Sequence, residues 1–103
     1  MSEFSTKARQ WLLSLIRQRK LLVKTGRSKI NEQQATAAIR DLELYLGAYS
    51  YANPLHMARF INGHKAQIAL ILPGEGSAAH EKKMKEFEAF CHLSSVILNG
   101  KQM

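Results

Sequence analysis

The strongest constraint on the fold is the spacing of apolar residues over the first twenty or so positions. Phe4, Ala8, Trp11, Leu12, Leu15, Ile16, Leu22 and Val23 recur at intervals that follow one helical face. A helix of about 20 residues is roughly 30 Å long, and its apolar stripe needs a partner of matching length. Ser2 or Ser5 can cap its start, and Gly26 stands where a left-handed residue would end it.

The same segment concentrates the charge. The chain has 103 residues and a formal net charge of +7. Residues 1–29 carry Lys7, Arg9, Arg17, Arg19, Lys20, Lys24, Arg27 and Lys29 against Glu3, whereas residues 30–103 balance to zero. No acid occurs between Phe4 and Asn31. The sequence therefore describes a near-neutral scaffold with one basic face, which points to a polyanionic partner: nucleic acid, an anionic membrane surface or an acidic protein surface.

At about 100° per residue, Arg9, Arg17, Lys20 and Lys24 share one narrow sector broadly opposite the apolar stripe, and Arg27 and Lys29 extend it into the following turn. These six are the candidate nucleic-acid-binding residues. A helix holds such cations in a fixed row against phosphates without further ordering. Arg19 is the exception, because it projects toward the apolar side. It is expected to reach solvent or to pair with a carboxylate such as Asp41 or Glu43, since an unpaired buried charge is too costly.

A second helix opens at Asn31, with Gln34 at the capping-box position and Ile30 placed to staple against Ala35. Its expected inward stripe is Ala38, Ile39, Leu42, Tyr45, Leu46 and Tyr49. Asn53-Pro54 marks a stop and a new start, giving a third helix over 55–61 that closes at Asn62-Gly63. Residues 67–72 (QIALIL) suit either a buried helix or a short strand paired with 95–98. Pro73-Gly74-Glu75-Gly76 reads as a loop. Ser77 then caps a final helix with Met84, Phe87, Phe90, Cys91, Leu93 and Ile97 inward, and Glu81–Lys85 and Lys82–Glu86 pairs outward. The expected fold is all-α: one domain over 1–103, a compact bundle of four to five helices. The alternative is α+β, with a two-stranded ribbon from 67–72 and 95–98.

Chemistry beyond charge finds little support. His56, His64, His80 and His92 lack metal-ligand spacing, and there is no zinc-finger pattern, phosphate-binding glycine loop or cofactor motif. Cys91 and His92 are adjacent, so on a helix they diverge by about 100° and cannot form a nucleophile–base pair. One cysteine also excludes an internal disulfide. No nucleophile, base and orienting group can be assembled, so the expectation is a protein that is not an enzyme and takes no metal or cofactor. The link between a helix at 42 and one ending at 60 exceeds the usual turn of about 3–4 residues in a helix-turn-helix. Tyr45, Tyr49 and Tyr51 are weighed as a base-stacking platform, but Tyr45 and Tyr49 lie on the inward stripe, where packing is the commoner role.

No apolar run approaches the roughly 20 residues of a membrane span. A basic amphipathic N-terminal helix can also lie on lipid or act as a transit segment. Against both, the second helix needs the apolar stripe of the first, and with Met1 at its start the segment is expected to be retained. The expected function is that of a small, basic, cytoplasmic, non-enzymatic nucleic-acid-associated protein that binds the phosphate backbone. The alternative is a protein-interaction module, an adaptor or inhibitor of another protein such as a nucleic-acid enzyme. The apolar surplus in 66–72 and 90–98 would then serve the partner or a homodimer.

Overall fold

The computed structural model describes residues 3–48, 53–73 and 78–100. They form five helices: α1 (Glu3–Lys24), α2 (Glu32–Ala48), α3 (Pro54–Gly63), α4 (Lys65–Ile71) and α5 (Ala78–Gly100). The all-α bundle is thus observed. No strand occurs among the described residues, and 95–98 lie inside α5. The two-stranded alternative fails for a physical reason: Ile68, Ile71 and Leu72 are all buried, and a helix satisfies its own backbone groups where a lone strand would leave them unpaired.

Local signals set the helix ends. At the end of α1, Gly26 has φ +73°, its N–H donates to Val23 O and the Arg27 N–H donates to Leu22 O. This is a Schellman closure, with glycine at the left-handed position. At the start of α2, the Gln34 N–H donates to Asn31 Oδ1 at 2.7 Å and the Asn31 N–H donates to Gln34 Oε1 at 3.3 Å, a reciprocal capping box. Asn53 Oδ1 accepts from the Leu55 and His56 N–H groups, and Pro54 occupies the first turn of α3. Ser5, in contrast, lies within α1 and is buried. The suggested caps at Ser2 and Ser77, the loop residues Gly74–Gly76, and Tyr49 and Tyr51 fall outside the described residues.

α3 packs along α5 and α2 along α4, while α1 lies against α2, α3 and α4. The core joins Trp11, Leu12, Leu15 and Ile16 of α1 to Leu42, Phe60, Ile68 and Phe87. Trp11 stacks on Phe87 with centroids 6.2 Å apart and tilts onto Phe90 at 4.9 Å, and Phe4 meets Phe90 at 6.3 Å. Such aromatic pairs add about 0.5–1.5 kcal/mol each beyond their buried area. They tie α1 to α5.

Two expected inward positions and one expected pairing are revised. Tyr45 is 40 % exposed and rests against the His64 ring at 4.7 Å. Leu93 is 45 % exposed, and Ser94 occupies the inward position instead. Ser94 can do so because its Oγ donates to Phe90 O at 2.7 Å, which leaves no unsatisfied donor. The ion pair on α5 is Lys83–Glu86 at 3.7 Å, in place of the expected Glu81–Lys85 and Lys82–Glu86 pairs.

Two glycines with open space around an added Cβ separate backbone effects from packing effects. Gly26→Ala places a side chain in the left-handed region and should destabilise by about 1 kcal/mol. Gly47→Ala lies within helical backbone and should stabilise by about 0.5 kcal/mol. Urea denaturation midpoints of the two variants are expected to move in opposite directions.

Candidate nucleic-acid interface

The six candidate cations divide into two groups. Arg17, Lys20, Lys24, Arg27 and Lys29 are exposed. Arg9 is half-buried, its Nε is shielded from solvent, and its side chain is engaged within the fold, so the row is shorter than the helical wheel implies. Arg17 and Lys24 are about 10 Å apart along α1, from a rise of about 1.5 Å per residue. Arg27 and Lys29 follow on the turn that joins α1 to α2.

This basic sector borders the seam between α1 and α2. A groove of about 770 Å³ runs there, lined by Lys20 and Lys24 from α1 and by Arg40, Glu32 and Glu43 from α2. Its apolar lining comes from Val23, Ala35, Ile39 and Leu44. A smaller groove continues along α1 past Arg17 and shares Lys20 and Glu43. The structure therefore adds Arg40 to the cations and places two carboxylates beside them. Neither was legible from α1 alone, because a wheel of one helix shows nothing of the helix packed beside it.

Lys20 Nζ donates to Glu43 Oε2 at 3.1 Å, with both side chains about half exposed. An exposed pair of this kind contributes no more than about 0.5–1 kcal/mol and weakens with salt. Arg17, Lys24, Arg27 and Lys29 form no ion pair among the described residues.

Arg19 overturns its expected placement. It is 0 % exposed, and Glu43, one of its two suggested partners, is bonded to Lys20. Its guanidinium meets two backbone carbonyls and a side-chain hydroxyl. Nη2 donates to Leu72 O at 2.7 Å, Nε donates to Ile71 O at 3.3 Å and Nη1 donates to Ser28 Oγ at 3.1 Å. Ser28 Oγ in turn donates to Ile30 O at 2.7 Å. The last carbonyls of a helix have no partner within it, and a planar donor fork at the end of α4 supplies one.

The other residues weighed in the sequence are dispersed. His64 lies at the α3–α4 junction, stacked on Phe60 at 4.5 Å with Nδ1 2.7 Å from Phe60 O. His80 Nδ1 is 3.3 Å from Pro73 O. Cys91 is half-buried against the core. Burial pushes its thiol above the ordinary value, with Lys65 opposing and Glu88 reinforcing the shift. Among the described residues no three His, Cys, Asp or Glu side chains converge on a metal-sized site, and no helix is long and apolar enough to cross a membrane.

The apolar surplus of 66–72 is divided: Ile68, Ile71 and Leu72 are buried in the core, whereas Leu70 faces outward. That of 90–98 leaves Leu93 and Val96 outward on α5.

If Glu43 screens Lys20, removing its charge should release a fifth cation to a polyanion. Glu43→Gln is expected to change stability by less than about 1 kcal/mol. In a salt titration of duplex binding, it should steepen the log–log slope by about 0.9, the increment for one more phosphate.

Comparison with protein-family models, with curated proteins and with solved structures finds no match to this chain.

Proposed function

We propose that this chain is a small cytoplasmic, non-enzymatic nucleic-acid-associated protein that grips the phosphate backbone through the end of α1 and the following turn. The observation that carries this reading is the run of four exposed cations, Arg17, Lys24, Arg27 and Lys29, with no ion pair among the described residues. Lys20 joins them once it leaves Glu43. A helix and a closed turn hold these charges in place before any ligand arrives, so little ordering is needed on binding. The contacts reach phosphate and carry no base readout, which makes the binding insensitive to sequence.

Four to five neutralised phosphates on duplex DNA give a slope of log affinity against log salt between about −3.6 and −4.5. Fluorescence anisotropy from about 50 to 200 mM salt measures it. Replacing Lys20, Lys24 and Arg27 with glutamine should abolish binding at the upper end of that range. Absence of binding by the unaltered protein at 50 mM salt overturns the reading.

The groove between α1 and α2 favours a second reading, in which the chain is an adaptor or inhibitor docked on another protein. Its apolar lining of Val23, Ala35, Ile39 and Leu44 is not needed for phosphate contact. Partner capture that survives both nuclease treatment and the triple glutamine substitution would favour it.

A further inference from the structure

The turn that carries Arg27 and Lys29 is fixed from inside the protein. Arg27 is anchored on one side by the closure of α1, and Asn31 on the other by the capping box of α2. Between them Ser28 turns inward and is half-buried, while Arg27 and Lys29 on either side of it point to solvent. Ser28 is held by two bonds, accepting from Arg19 Nη1 and donating to Ile30 O. Arg19 cannot swing away, because it is fully buried and its other nitrogens are bonded to Ile71 O and Leu72 O at the end of α4.

We propose that Arg19 and Ser28 form an internal relay that positions Arg27 and Lys29 for polyanion contact, making two residues with inward side chains determinants of the interface. The relay rests on the phosphate-binding reading given above. Neither residue touches the ligand; both act through the backbone of the turn. A phosphate contact needs its cation held at a set distance, and a long side chain on a loose turn gains less from each contact than one on a fixed turn.

Ser28→Ala removes the relay while leaving every surface charge in place. Duplex binding is compared by anisotropy across salt for the unaltered protein, Ser28→Ala, the double variant Arg27→Gln/Lys29→Gln, and the triple combination. The relay predicts a slope for Ser28→Ala shallower by about 0.9 to 1.8, which is one to two phosphates at about 0.9 each. It also predicts that the triple variant is no shallower than the double. Ser28→Thr, which keeps the hydroxyl, should retain the original slope. Hydrogen exchange of Ser28→Ala should quicken at the two bonded amides that bound the turn, Arg27 (to Leu22 O) and Asn31 (to Gln34 Oε1), while the interiors of α1 and α2 keep their protection.

An unchanged slope in Ser28→Ala, alongside a reduced slope in the double variant, overturns the relay and leaves phosphate binding standing. Unaltered exchange at the Arg27 and Asn31 amides, or loss of protection throughout the chain with the slope intact, overturns it as well. An unaltered protein that fails to bind the duplex overturns both readings together.

Discussion

The fold depends on where one guanidinium goes. α4 spans seven residues, too few to be stable alone, since an isolated helix needs about 12–15 residues even to be marginal. It ends in the core at Ile71, Leu72 and Pro73, all buried, so its terminal carbonyls cannot turn to water. Arg19 takes two of them, and its positive charge suits the negative end of the helix dipole. Desolvating a guanidinium costs several kcal/mol. Three charge-assisted bonds, two to the end of α4 and one to the α1–α2 turn, offset that cost, and the outcome is a fixed crossing of α1 over the end of α4. Truncating Arg19 would leave two buried carbonyls to be satisfied at once, at about 1–3 kcal/mol each.

This arrangement changes what the net charge means. The excess of +7 lies in residues 1–29, but those cations do different work. Arg19 is internal, Arg9 is half-buried, Lys7 is paired with Glu3 at 2.8 Å and Lys20 with Glu43 at 3.1 Å. Charge counted along the sequence therefore overstates the field that a ligand meets. What remains outward is a shorter set at the end of α1 and on the turn, beside a seam that brings Glu32, Glu43 and Arg40 into play.

The features legible in the sequence were those encoded locally. The 3.6-residue stripe gave α1, Asn31 with Gln34 gave the start of α2, Asn53-Pro54 gave the start of α3, and Gly26 gave the end of α1. Each rests on interactions within a few residues, which a spacing pattern can carry. The misplacements share the opposite origin. The wheel of α1 turns Arg19 inward, but two of its partners, the carbonyls of Ile71 and Leu72, are more than 50 residues away and are backbone atoms, which no pattern of side chains announces. Leu93 and Ser94 exchanged places because a serine that bonds its own helix behaves as a small core residue. At the candidate interface five of the six cations are exposed as expected. The sixth, Arg9, is half-buried, since the wheel of α1 does not show which side its neighbours cover.

The position of the basic residues matters more than their number. At physiological ionic strength the screening length is about 8 Å, shorter than the roughly 10 Å that separates Arg17 from Lys24 along the helix. Cations spaced in this way do not merge into one field, so each phosphate responds mainly to its nearest charge. On the proposed reading, a partner with phosphates at regular intervals would be selected by the spacing of Arg17, Lys24, Arg27 and Lys29 rather than by the total of +7. The first two inherit their spacing from α1. The spacing of the last two depends on the turn between α1 and α2, which is held by the glycine closure, the capping box and the hydroxyl of Ser28 against Arg19. On the proposed phosphate-binding reading, the buried arginine that closes the fold would also position two of the four cations that meet phosphate.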